Sequence, residues 1–398
     1  VSRPAATRWR VVGLAIGAGV LAGMQVGKVP PSIPALRASL DLGLVTAGWV
    51  ASTFNVVGAC AAVAGGLWAD RIGARRALLA GLALLALGSL AGAAALGGAT
   101  LIGSRALAGT GLIAVAVAAP RLIVSAAAPR DYGLALGAWG TYMPTGMALA
   151  MVLAGTLAAG WRALWLLNAA LLLAFLVLFA SLTRAPPDPS RPRRAAGRLG
   201  QVARLPGPWL LAACFGCYTV QWAAITTWLP TFLIETRGAA STGAGLVTAA
   251  VVATNVPGNL VGAWLLHRRV ARWWLLLAAY AGMAASAYGV FAASVPALLK
   301  LPSAFAFSGI GGLLPAAVLG AGAAHAPSRE ALATVNGFMV QGSHLGILAG
   351  PPLLAVLLER LGGWEHAWLL MLAAGSLGAT LAAALGHLER RTARAASP

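Results

Sequence analysis

Carboxylates are what this chain has least of. It carries nine Asp and Glu in 398 residues, against 28 Lys and Arg. All nine (Asp41, Asp70, Asp131, Asp188, Glu235, Glu330, Glu359, Glu365 and Glu389) fall between long apolar runs or at their ends, never at a run's centre. That absence removes the usual intramembrane proton carrier, a carboxylate held protonated by burial. It also removes the counter-charge that a buried cationic ligand would need. Cysteine is scarce too: Cys60, Cys214 and Cys217 all lie in apolar surroundings. Cys214-Phe215-Gly216-Cys217 has C-x-x-C spacing but no second ligand pair, so these are read as small packing residues, and no metal or cofactor is expected. No nucleophile, base and orienting group fall at a usable spacing and no nucleotide loop is present. An enzyme is therefore not expected, and ATP-driven pumping would need a separate subunit.

Apolar residues fill the space. With 60% hydrophobic and 9% charged residues and a mean hydropathy of +0.83, the chain has the composition of a polytopic membrane protein. The net charge of +19 would otherwise suggest nucleic acid. Here the arginines sit in short loops between apolar runs, so anionic lipid headgroups are the expected neighbours and no nucleic acid is. Fifty glycines suit close helix packing in lipid. The first apolar run continues to spanning length without a convincing processing site, so a cleavable signal peptide is not expected.

The runs predict twelve spans, at about 10–30, 44–65, 77–96, 100–122, 133–158, 163–182, 208–233, 241–266, 273–292, 296–323, 332–358 and 365–386. Span 1 is expected to end at Gly27-Lys28-Val29-Pro30-Pro31, with a polar loop holding Arg37 and Asp41 beyond it. Residues 184–207, with Arg184, Arg191, Arg193, Arg194, Arg198 and Arg204 among prolines, read as a basic linker. If both termini are cytoplasmic, the cytoplasmic tails and loops hold all but seven of the 28 Lys and Arg. The exceptions are Lys28, Arg37, Arg105, Arg162, Arg237, Lys300 and Arg360. This is the positive-inside pattern of an N-in, C-in protein.

The chain also repeats. Gly160-Trp161-Arg162-Ala163-Leu164-Trp165 opens span 6 as Gly363-Trp364-Glu365-His366-Ala367-Trp368 opens span 12, and Asn55-Val56-Val57-Gly58 recurs as Asn255-Val256-Pro257-Gly258. Two six-helix halves, 1–183 and 208–398, joined by the linker are the expected domains, with a solute site near the midplane between them.

Between spans 2 and 3 lies a polar knot, Gly66-Leu67-Trp68-Ala69-Asp70-Arg71-Ile72-Gly73-Ala74-Arg75-Arg76. Gly66 and Gly73 permit a sharp turn, and Asp70 among Arg71, Arg75 and Arg76 suggests a local ion-pair cluster. The plainer reading is a stop-transfer turn whose arginines fix topology. The order Gly-x-x-x-Asp-Arg-x-Gly-x-Arg-Arg resembles the signature loop of the major facilitator superfamily, matching it at Gly66, Asp70, Arg71, Gly73, Arg75 and Arg76. Arg105-Ala106-Leu107-Ala108-Gly109-Thr110-Gly111 is similar to that family's Arg-x-x-x-Gly-x-Gly element. Gly137, Gly140, Pro144 and Gly146 resemble, with altered spacing, the glycine-proline element of its proton-driven exporters. The Lys28-Val29-Pro30-Pro31 span end resembles its cyanate-transporter-like branch.

The resemblance implies an all-α fold of two pseudo-symmetric six-helix halves. Spans 1, 4, 7 and 10 would line a cavity, spans 2, 5, 8 and 11 would join the halves, and spans 3, 6, 9 and 12 would face lipid. It also implies that the knot latches the cytoplasmic side, with Asp70 and Arg71 making and breaking contacts. The knot recurs weakly as Gly262-Ala263-Trp264-Leu265-Leu266-His267-Arg268-Arg269, where Leu266 replaces the acid, so unequal gates are expected.

Lys28, Arg105 and Lys300 then fall on cavity spans, and without an acid the obvious counter-ion is an anionic substrate. The competing readings are snorkelling for Lys28 and Lys300, and for Arg105 a bond to carbonyls freed at a glycine kink. Gln25, Asn55, Asn255, Asn259, Asn336, Gln341 and His344 can bind solute or bridge helices. Tyr218, Gln221 and Trp222 share one helix face at i, i+3 and i+4. His344 is read first as an interhelical bond and second as a proton carrier. These features point to a small-anion transporter working by alternating access, as a monomer in a bacterial inner membrane. Trp49, Trp139, Tyr142, Trp222 and Trp228 keep efflux of apolar or cationic drugs as the alternative, and a non-transporting sensor or scaffold is a third reading.

Overall fold

The computed structural model describes residues 6–60, 72–156, 160–183, 196–322, 324–328 and 331–395. Among them all regular structure is helical. Among the described residues ten helices are long and apolar enough to cross a membrane. They match ten of the twelve expected spans. The second expected span is a shorter apolar helix, Leu44–Cys60, as far as the described residues run. The fifth is divided in two, at Tyr132–Gly140 and Tyr142–Thr156.

Proline explains that division and two others. The second helix of each broken span carries a proline at its third residue: Pro144 in Tyr142–Thr156, Pro257 in Asn255–His267 and Pro315 in Leu313–Leu319. A proline has no N–H for the carbonyl four residues back. Those carbonyls belong to Gly140, Ala253 and Gly311, the last residues of the preceding helices.

By packing, the chain divides into two compact units, Val1–Arg193 with Leu229–Ala249, and Arg194–Trp228 with Ala250–Pro398. The first contains α1 (Trp9–Gly27), α2 (Ile33–Leu40), α3 (Leu44–Ser52), α4 (Ala74–Ala93), α5 (Gly98–Ala126), α6 (Tyr132–Gly140), α7 (Tyr142–Thr156) and α8 (Gly160–Leu182). The end of α1 departs from expectation. A 3₁₀ turn, Pro30–Ser32, carries the helical path on into α2, and Arg37 is helical rather than in a loop. Prolines in the first turn of a new helix cost no hydrogen bond, so the pair redirects the chain without ending it. Asp41, in the left-handed region at φ 50°, ends α2. Small residues set the spacing. A Cβ on Gly146 would strike Val20 O and approach Gly23 Cα at 2.8 Å, while one on Gly111 would approach Gly81 O at 2.6 Å. Thus α7 lies directly on α1, and α5 on α4.

The second unit contains α9 (Ala196–Ala203), the first part of α10 (Pro206–Arg237), α12 (Asn255–His267), α13 (Arg272–Phe291), α14 (Ala297–Gly311), α15 (Leu313–Leu319), α16 (Leu332–Leu361) and α17 (Trp368–Ala395). The rest of α10 and α11 (Ser241–Ala253) packs largely with the first unit. The expected linker is helical over α9, which buries Val202. On α16, Gly342, Gly346 and Gly350 bring its backbone onto Ala212, Gly216 and Val220 of α10.

Candidate functional site

The first unit buries two basic side chains, Lys28 and Arg105, and among the described residues neither is paired with an acid. Lys28 is the C-cap of α1, where a positive charge suits the carbonyl end of the helix dipole. Its side chain is fully buried, which rules out snorkelling. Lys28 Nζ donates to Gln25 Oε1 at 2.6 Å and to Ser89 Oγ of α4 at 2.7 Å. It stands 4.4 Å from the ring centroid of Trp165 on α8. The cluster is closed behind it: Ser89 Oγ donates to Trp165 O at 2.8 Å, and Gln25 Nε2 donates to Asn168 Oδ1 at 3.1 Å. Asn168 Nδ2 in turn donates to Leu164 O at 2.9 Å.

Arg105, in α5, is 1% exposed. Its Nε donates to Val50 O at 3.2 Å, beside the point where α3 gives way to the 3₁₀ turn Thr53–Asn55. Its guanidinium lies 4.5 Å from the centroid of the Phe54 ring. Arg105 thus ties down a carbonyl at a helix break and keeps Nη2 without a partner. Trp165 Nε1 is a second buried N–H with no acceptor. A Cβ on Gly92 of α4 would lie 2.6 Å from Trp165 Nε1 and 3.0 Å from Ser104 Oγ, the neighbour of Arg105. Among the described residues no carboxylate pairs with Lys28 or Arg105. Buried donors and cations without acceptors are costly. Here they are gathered in one bundle.

The family model of the Major Facilitator Superfamily matches residues 15–305 and again 211–398. The chain belongs to the major facilitator superfamily. A curated relative, the putative niacin/nicotinamide transporter NiaP of Bacillus subtilis (strain 168), is 24% identical over 276 residues, covering 67% of this chain and 68% of the relative. Among solved structures, a bacterial homologue of the human lysosomal transporter Spinster, inward-facing and unoccupied, superposes with a TM-score of 0.81 at 15% identity, covering 97% of each chain. The inward-open xylose transporter XylE from E. coli superposes with a TM-score of 0.75 at 15% identity, covering 95% of each chain. The protein is thus a multi-pass membrane protein of a transporter family.

The second unit repeats this geometry with neutral residues. A Cβ on Gly109 would strike Phe54 O, and one on Gly312 would strike Asn255 O. Four residues before each glycine stand Arg105 and Ser308. Likewise Gly146 packs on Gly23 and Gly346 on Gly216, and five residues after each partner stand Lys28 and Gln221. Gln221 and Ser308 are fully buried, and Gln221 Oε1 and Ser308 Oγ have no partner. Around them Asn255 Nδ2 donates to Tyr218 Oη at 3.0 Å and to Ser308 O at 3.1 Å. Trp222 is half-buried with its Nε1 unpartnered.

The other expected residues are dispersed. Lys300 Nζ donates to Ala292 O at 3.0 Å, closing the end of α13, so it serves as a helix cap there. On α16, Asn336 is exposed and His344 half-buried. Within the knot, Gly66, Asp70 and Arg71 lie outside the described residues. Gly73, at φ 83°, is the N-cap of α4 in a backbone region that favours glycine. Arg76 is exposed. Arg75 reaches the end of α8, with Nε on Thr183 O at 3.0 Å and Nη2 on Ala180 O at 2.9 Å. The aromatic residues behind the drug-efflux alternative are largely occupied. Trp139 stacks on Tyr142 at 4.1 Å, and buried Trp228 donates to Pro351 O at 3.0 Å.

Ser89, Asn168 and Trp165 were not among the expected site residues. Family resemblance assigned spans 3 and 6 to lipid, which drew attention from their inward faces. The available signal was a serine and an asparagine within apolar runs.

Proposed function

We propose that this transporter carries a small organic anion, a monocarboxylate of the size of a pyridine carboxylate. The observation that carries the reading is Arg105: a buried guanidinium with an unpartnered N–H, near a second buried cation, with no acid among the described residues to neutralise it. A carboxylate supplies the missing acceptor and the missing charge together. The relative's printed substrates, niacin and nicotinamide, supply the scale and a chemical contrast. Niacin is an acid and nicotinamide its neutral amide, so an Arg105 site should take the first and refuse the second. Lys28, whose ammonium already has two acceptors and a ring, adds positive potential without touching the solute.

Movement is by alternating access of the two halves, with Asp70 and Arg71 as the cytoplasmic latch and Arg75 as its anchor on α8. Both termini are cytoplasmic in the bacterial inner membrane, as the arginine distribution favours, and the working unit is a monomer. The test is uptake of labelled nicotinate into sealed vesicles containing the purified protein. Uptake should saturate, be blocked by unlabelled small carboxylates and ignore nicotinamide. Uptake or competition by lipophilic cations, with none by carboxylates, would replace this reading with drug efflux. Saturable binding without flux would point to a sensor.

A further inference from the structure

Two like charges in one dry bundle raise a question of charge balance that the anion site alone does not answer. A guanidinium keeps its proton under all working conditions, whereas an ammonium can give its proton up. Lys28 and Arg105 stand on α1 and α5, which pack against each other, and Ser89 of α4, which accepts from Lys28, is about one turn from Gly92, against which Ser104 beside Arg105 packs. Holding both charges in the empty carrier, with no counter-ion, is costly. The Lys28 site fits either protonation state. A neutral amine has two N–H donors, matching Gln25 Oε1 and Ser89 Oγ, and its ammonium adds a third that the Trp165 ring face accepts. Among the described residues no other titratable or charged side chain adjoins it. Of the helices packed on α1, α5 presents Arg105, α4 Ser89, α8 Trp165 and Asn168, and α6 Trp139 at Gly19, while α7 meets Gly27 through the Met147 backbone. Tyr142, also from α7, faces Gly19, more than two turns away along α1.

We propose that Lys28 is the coupling base, taking up one proton as the carboxylate binds at Arg105 and releasing it with the carboxylate, so that transport is electroneutral symport of one proton with one monovalent anion. The inference rests on the anion reading above. In the empty carrier Arg105 is charged and Lys28 neutral. In the loaded carrier Arg105 and Lys28 carry two positive charges against the solute's one negative charge. Each complete cycle moves one proton and one anion the same way, with no net charge. By linkage, the anion must raise proton affinity by the factor by which the proton raises anion affinity.

The experiment uses the full-length protein in sealed vesicles with nicotinate as probe, subtracting protein-free vesicles. In weakly buffered medium, nicotinate entry into wild-type vesicles should alkalinise the outside by one proton per nicotinate, and a clamped membrane potential should leave the rate unchanged. A tenfold inward proton gradient should support about tenfold accumulation. Lys28→Gln and Lys28→Met should lose the response to the proton gradient and become sensitive to membrane potential. Nicotinate entry without proton movement, or a potential-driven wild-type flux, would overturn the proposal while leaving the anion reading intact. So would a variant that still concentrates nicotinate on a proton gradient. Absence of any carboxylate flux in the wild type would overturn both. The wild-type stoichiometry decides the matter even if neither variant folds.

Discussion

Replacing Arg105 with methionine should separate stability from binding. The side chain gives the fold one charged hydrogen bond to Val50 O and one ring contact with Phe54. Those are worth about 1.5–3 kcal/mol and about 2 kcal/mol. Against them stands the several kcal/mol effective cost of desolvating a charge that no acid among the described residues offsets. The terms nearly cancel, so Arg105→Met should change the stability of the empty protein by no more than about 2 kcal/mol, in either direction. Binding has no such compensation. Losing a charged hydrogen bond of about 1.5–3 kcal/mol weakens affinity about 10- to 150-fold. At nicotinate one hundredfold above the wild-type dissociation constant, ligand stabilisation should fall from about 2.7 kcal/mol to between about 0.3 and 1.4 kcal/mol. The assay is a thermal melt of detergent-purified wild type and variant, with and without nicotinate. An empty variant that melts far below wild type yet keeps the full nicotinate shift would refute the reasoning, because Arg105 would then be structural.

Arg75→Ala should lower the apparent melting temperature through loss of about 2–3 kcal/mol, because Thr183 O and Ala180 O lose their donor; Arg75→Lys should recover part of it, and an unchanged melt would contradict the cap. Gly146→Val should abolish accumulation of folded protein in a fluorescence-detected sizing assay, since its Cβ meets α1 backbone. Gly13→Ala, with nothing within 4 Å of the new carbon, is the control that should behave as wild type. Asn255→Ala should cost about 1–3 kcal/mol by leaving Tyr218 Oη without its donor, while Ser308 O keeps Gly312 N–H, read from the same thermal melt; a neutral result would show that the Tyr218 bond is not formed. Gln221→Leu removes an unpartnered buried oxygen and should leave the melting temperature unchanged or raise it, so a clear fall would contradict that assignment.

How much of this was legible in the sequence depends on the kind of information. Most helices followed from apolar runs, because in a bilayer the backbone must satisfy itself within each segment, but the continuation of the first through Pro30–Ser32 into α2 did not. The breaks at Gly140, Ala253 and Gly311 were readable in principle from Pro144, Pro257 and Pro315. A proline inside a span does not always break it, however: Pro230 and Pro351 lie within continuous α10 and α16. Lys28 and Arg105 stood out because ionisable groups in apolar runs are rare. Their surroundings did not. Ser89 is 61 residues from Lys28, and Gln25 is 143 from Asn168. Only packing brings α1, α4 and α8 around one amine, and a resemblance that assigns spans 3 and 6 to lipid points away from it. Lys300 shows the reverse case, a lysine on an expected cavity span that the structure places on the carbonyls ending α13.

The proposed anion site stands or falls with Arg105, buried and with no acid paired to it among the described residues. Calorimetric titration of the purified protein with nicotinate and with nicotinamide tests it most directly, because the two ligands share a ring and differ chiefly in charge. Nicotinate should bind saturably, with binding abolished or strongly weakened in Arg105→Met, and nicotinamide should show no measurable binding. Equal affinity for acid and amide, or nicotinate binding untouched by Arg105→Met, would contradict it.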